Sequence, residues 1–186
     1  MKTHLQTPGI LKLLLGALLS ITLTGIQAQI AHPGQIAGKP ISFYLNHNAI
    51  TNDAKLYYEG KVTPADDERT FAILDSVVTR NREIRPFYFF LLNRMMKTAD
   101  GALSEYISTV CSHYFSQYPC EFMQWQADPV YDANLHKWAQ FIAFDLYASE
   151  AYKKYTAELK TAACETRELD NFVNDLHRIV TELNEH

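Results

Sequence analysis

Arg85-Pro86-Phe87-Tyr88-Phe89-Phe90-Leu91-Leu92-Asn93-Arg94-Met95-Met96 is the stretch whose reading decides the fold. Pro86 suits the first turn of a helix, where its missing N–H costs nothing. The residues from Phe87 to Leu92 are all aromatic or Leu, and Met95 and Met96 extend the run. At about 100° per residue these side chains surround a helix, apart from one narrow sector held by Asn93, Arg94 and Lys97. A helix apolar nearly all round is a buried one, and about twelve residues cannot span a bilayer, which takes about 20. The expected fold is therefore all-α. We read it as an antiparallel array of five or six helices around a central apolar helix at about 86–97, with little or no sheet.

Working outward, Thr63-Pro64-Ala65-Asp66 has the cap hydroxyl, the Pro and the following acid of a helix start. Phe71, Leu74, Val77 and Val78 give that helix its inner face, and Asn81–Arg85 link it to the central one. After Asp100-Gly101, Leu103, Tyr106, Ile107, Val110, Cys111, Tyr114 and Phe115 recur at helical spacing, predicting a helix over 102–117. Its other face, including Ser104, Ser108 and Ser112, is expected to meet water. Pro119 ends it and opens a single turn carrying Phe122, Met123 and Trp125.

From Val130 to His186 there is neither Gly nor Pro. Asp132 is the expected cap of a helix with the stripe Leu135, Trp138, Phe141, Ile142, Tyr152, Leu159, either continuous over 133–163 or broken near Ser149. Leu169, Phe172, Val173, Leu176, Ile179, Val180 and Leu183 define a last helix capped by Thr166. Upstream, residues 29–62 form an N-terminal lead. Ile41–Leu45 reads as an irregular or helical segment, since a lone strand has nothing to pair with. Asn52 or Asp53 caps a short helix through Tyr57 and Tyr58, stopped by Gly60. Residues 63–186 are the helical domain, and lead and domain together make one unit.

Residues 1–28 read as a cleaved signal peptide. Lys2 and Lys12 precede the apolar run Leu13–Leu23, and Ala28 is a small residue at the cleavage position. No Cys lies near that point to carry a fatty-acyl anchor. The expected location is periplasmic or extracellular, with no membrane attachment after cleavage. The leader holds two of the 17 Lys and Arg and none of the 21 acids, so the remaining 158 residues carry a net charge of −6. Such a surface argues against nucleic acid and anionic lipid as partners.

Export makes a disulfide reasonable among Cys111, Cys120 and Cys164. Cys111 lies on an apolar stripe, whereas Cys120 and Cys164 flank helix ends and are the expected bridge. Arg80, Arg82 and Arg85 gather before the central helix and are candidates for gripping a carboxylate or phosphate. Asp145 interrupts an apolar stripe, and a buried carboxylate needs a partner. Arg94, then Arg85, are the expected cations of a structural ion pair with it. The histidines have no metal-type spacing. There is no Gly-rich phosphate loop, Gly-x-Ser-x-Gly or His-Glu-x-x-His, so no catalytic residue, metal or cofactor is expected.

The functional expectation is an exported helical protein that works by binding another protein, comparable to inhibitors and immunity proteins by class alone. The alternatives are a hydrolase using buried carboxylates and a His, and a carrier of a small apolar or anionic ligand. A deep pocket with converging ionisable groups would favour the hydrolase, an enclosed apolar cavity the carrier, and an exposed aromatic patch the docking protein.

Overall fold

The computed structural model describes residues 32–147, 151–159, 164 and 167–185. The expected signal peptide and the Thr166 cap lie outside them. The described chain begins with a two-residue antiparallel ladder, β1 (Gln35–Ile36) on β2 (Lys39–Pro40), with Ile36 opposite Lys39. Ala37 (φ 49°) and Gly38 (φ 72°) both take the left-handed conformation that the tight hairpin between them needs. The ladder is the only sheet among the described residues.

Helices α1 (Ile41–Leu45) and α2 (Asn52–Tyr58) follow. Thr51, not Asn52 or Asp53, caps α2, its hydroxyl accepting the Ala54 N–H at 3.3 Å. The lead is less loose than its composition suggests. Ile36, Tyr44, Ala54, Tyr57 and Tyr58 are all buried in the common core, and Tyr44 stacks on Phe87 at 5.4 Å.

Helix α3 (Glu68–Asp75) starts later than Thr63 implied and runs into a 3-10 turn, Ser76–Val78. Asp67 is its cap, accepting the Thr70 N–H at 2.8 Å. Thr70 Oγ1 in turn accepts the Ala65 N–H at 3.1 Å, which occupies the approach in a turn of its own.

Helix α4 (Arg85–Met95) is the expected central helix, and every residue of it except Arg94 is buried. Even Asn93, placed by the wheel in the polar sector, is enclosed. It donates to the Phe89 carbonyl at 2.9 Å and accepts from the Trp138 indole at 2.8 Å, so its polar atoms are satisfied without water. Phe89 itself is ringed by Tyr114, Phe122, Trp125, Tyr131 and Trp138, with centroids 5.1–6.2 Å away.

Helix α5 (Gly101–Gln117) buries the predicted stripe, with Tyr106 half-covered on Phe71. Ser108 and Ser112, expected in water, are buried as well, because α7 (Leu135–Leu146) lies along that side. Ser108 turns its hydroxyl onto the Ser104 carbonyl of its own helix at 2.9 Å. Between them come α6 (Pro119–Gln126) and a 3-10 turn, Pro129–Tyr131. Asn134, rather than Asp132, caps α7.

Helices α8 (Ala151–Leu159) and α9 (Arg167–Asn184) complete the chain, so the stretch 133–163 is divided, as the second of its two readings had it. Helix α9 packs on α7, burying Leu169, Phe172, Leu176, Ile179 and Val180, and its Phe172 ring also meets Phe115 of α5 at 4.7 Å. No helix among the described residues is long and apolar enough to cross a membrane.

Candidate functional site

Two surface features stand out from this core, one built of arginines and one of aromatics. The first begins at the buried end of α4. Arg85 is only 2% exposed, yet it carries a full charge into the core edge, so it must be answered there. Its Nη2 donates to Glu121 Oε2 at 3.1 Å and its Nη1 to the Thr79 carbonyl at 3.0 Å. Its Nε lies 2.7 Å from Glu121 Oε1 with the N–H poorly aligned, so that contact is ionic rather than a hydrogen bond. The guanidinium also sits 3.7 Å from the centre of the Tyr118 ring, a cation–π arrangement. Tyr114 donates its hydroxyl to Glu121 Oε1 at 3.1 Å. Burial first, and then the Glu121 carboxylate, push that phenol far above its usual value of 10.0, so it stays a donor.

Outside this knot a cleft of about 380 Å³ opens between the link into α4 and the first turn of α6. Arg80, Arg82 and Arg85 all line it, so the structure brings the three arginines singled out by sequence to one place. Arg80 and Arg82 are exposed. Cys120 forms part of the wall and is bonded to Cys164, with Cα atoms 5.4 Å apart, which is the expected bridge. With its ends 44 positions apart in sequence, the closure is worth roughly 4 kcal/mol by loop entropy. Cys111 is free and buried. Burial first, then the Asp145 charge, raise its thiol well above the ordinary value, making it a poor nucleophile.

The proposed pair of Asp145 with Arg94 or Arg85 does not form. Asp145 is half-buried at the margin of α7 and accepts the Thr109 hydroxyl at 2.8 Å. Arg94 donates instead to the Tyr58 carbonyl at 3.1 Å and lies over the Tyr57 and Phe90 rings, and Arg85 belongs to Glu121. The physical reason is the width of the α7 stripe. Its buried residues are Trp138, Ala139, Ile142, Ala143 and Leu146, and the two alanines turn its centre away from Asp145. A stripe drawn through the large side chains alone had placed Asp145 inside.

The second feature is the outer crest of α7. Phe144 (48% exposed), Tyr147 (38%) and Leu183 (38%) are the large hydrophobics exposed among the described residues. They lie together. The Phe144 and Tyr147 rings are 6.0 Å apart, and Phe144 and Leu183 line one groove of about 570 Å³ between α7 and α9. Phe144 also lines a second groove of about 310 Å³, between α7 and α5. Tyr147 is thus an exposed tyrosine, whereas Tyr57, Tyr58 and Tyr131 are buried.

The histidines make local polar contacts. His136 Nδ1 is 2.9 Å from Asp175, His177 Nδ1 is 2.9 Å from the Tyr152 hydroxyl, and His47 Nδ1 accepts the Ala49 N–H. Among the described residues no group of His, Cys, Asp and Glu is arranged to hold a metal. Glu121 as the partner of Arg85, and Phe144, are what sequence reasoning passed over. Phe144 had a signal, because an aromatic opposite the buried stripe of an amphipathic helix is out of place. Glu121 had none beyond its position in the first turn of a helix. No protein-family model, curated protein or solved structure matches the chain.

Proposed function

We propose that the protein acts by binding another protein, and that the crest of α7 with its flanking grooves receives an amphipathic helix of the partner. The observation that carries this reading is the gathering of Phe144, Tyr147 and Leu183 on one face, while the other large hydrophobics among the described residues are buried or half-buried. Apolar side chains held together in water gain by being covered, at about 25 cal/mol per Å². The α7–α9 groove has the shape and chemistry of helix-in-groove recognition. Ile179, Leu183 and Phe144 offer apolar contact, and His136, Arg178 and Glu182 offer polar contacts to the partner helix's edges. Export of the mature protein to the periplasm or medium belongs to this proposal, resting on the leader sequence and compatible with the Cys120–Cys164 bridge. No observation favours the hydrolase alternative.

A photo-crosslinking amino acid placed at position 144 tests the site directly. It should join the protein to one partner in the exported fraction, whereas the same group at Ser116, an exposed position on α5, should not. Phe144→Ser with Leu183→Ser should abolish capture and leave the thermal transition within a few degrees of wild type. Retained capture by that double variant would reject the crest as the docking face.

A further inference from the structure

We propose that the arginine cleft beside α6 is a binding site for a dianionic oxyanion, the phosphate group of a small phosphomonoester. The inference is independent of the α7 crest, which shares no residue with the cleft. It starts from charge that the protein leaves unanswered. Arg80 and Arg82 are exposed and make no hydrogen bond or ion pair among the described residues. The acids near them are committed elsewhere. Glu83, the next residue after Arg82, reaches Lys39 at 3.4 Å and His47 at 4.0 Å. Glu121, the one acid of the cleft wall among the described residues, is held by Arg85 and Tyr114. Two guanidinium charges therefore remain open in a chain whose formal net charge is −4.

The wall behind those charges is rigid and oriented. Arg85 is fixed by Glu121, by the Thr79 carbonyl and by the Tyr118 ring. Helix α6 begins in the same wall with no side chain capping it, and the amides of Cys120 and Glu121 have no acceptor among the described residues. First-turn amides and the positive end of the helix favour an anion at that position, and arginine forks suit phosphate oxygens. Charge and size then narrow the class. Two uncompensated cations match a dianion rather than a single carboxylate, and about 380 Å³ holds more than a bare phosphate. Tyr118 and Pro119 supply an apolar wall for the organic remainder.

Isothermal titration of the full protein with phenyl phosphate, inorganic phosphate and acetate, at constant ionic strength, tests the assignment. Phenyl phosphate should bind most tightly, inorganic phosphate more weakly and acetate not measurably. No histidine among the described residues lines the cleft, and a phosphomonoester loses its second proton near pH 6, so affinity for phenyl phosphate should rise roughly tenfold from pH 5 to pH 7. Arg80→Gln with Arg82→Gln should weaken it at least tenfold without moving the thermal transition, and Arg69→Gln, outside the cleft, should leave it unchanged. Equal affinity in the Arg80/Arg82 variant, acetate binding as well as phenyl phosphate, or no binding of any probe would overturn the proposal. Inorganic phosphate binding more tightly than the ester would overturn the ester assignment.

Discussion

The two ends of α4 each carry an arginine, and each is satisfied in its own way. At the N-terminal end Arg85 is 2% exposed and has a carboxylate, a carbonyl and an aromatic face around it. At the C-terminal end Arg94 is only half-buried and makes do with the Tyr58 carbonyl and the Tyr57 and Phe90 rings. Water reaches Arg94 and supplies part of its solvation, so no opposite charge has to be brought to it. Arg85 has lost that solvation, and a full counter-charge must be built in beside it. The degree of burial, more than the presence of the charge, decides whether an acid is needed.

Removing that acid gives the largest effect. Glu121→Ala should cost about 3–5 kcal/mol in urea unfolding, because it leaves Arg85 buried and unpaired and strips Tyr114 of its acceptor. Replacing both members, Arg85→Met with Glu121→Leu, should recover much of that loss, since the penalty lies in the orphaned charge rather than in the missing attraction. If the double variant is as unstable as the single one, the Thr79 carbonyl and the Tyr118 ring matter more than the ion pair.

The opposite end should give a smaller response. Arg94→Ala removes one charged hydrogen bond to a carbonyl and part of the packing over two rings, a loss of about 1–2 kcal/mol. Arg94→Lys should retain part of this, because an ammonium can still reach the carbonyl though it stacks less well. A loss as large as that of Glu121→Ala would mean that Arg94 is effectively buried, and the contrast between the two ends would fail.

The same contrast shows what the sequence disclosed. The central helix was legible because every residue from Phe87 to Leu92 is large and apolar, so no choice of face was needed. The stripe of α5 and the bridge between Cys120 and Cys164 were legible from spacing and from helix ends. Helix starts were read one to four residues early or late, at Thr63 for Asp67 and Asp132 for Asn134, since Ser, Thr, Asp and Asn crowd each boundary and any of them can cap. Ion-pair partners were illegible for a stronger reason. Which acid meets Arg85 depends on how α6 swings back after Pro119, a tertiary fact with no local signal. Of the arginine cleft, the residues were visible as a cluster, but not the enclosing wall supplied by Tyr118 and Cys120.

Asp145 provides the smallest and most discriminating measurement. Read as a break in an apolar stripe, it would demand a cation, and its loss would rival that of Glu121. Its actual surroundings are the Thr109 hydroxyl at 2.8 Å and a half-exposed helix margin. Water answers most of its charge there, and the hydroxyl answers the rest. Asp145→Ala should therefore change stability by less than about 1 kcal/mol, the worth of one hydrogen bond open to solvent. In a double-mutant cycle, Asp145→Ala and Arg94→Ala should be additive within about 0.5 kcal/mol, as for sites without shared partners. The cycle with Thr109→Val should instead show coupling of about 0.5–1 kcal/mol, because either substitution alone removes the same bond. Coupling to Arg94 rather than to Thr109 would restore the ion pair and move Asp145 into the class that Arg85 and Glu121 define. The predicted pattern leaves Asp145 as a polar edge residue, held in place by α5 because α7 turns its two alanines toward the core.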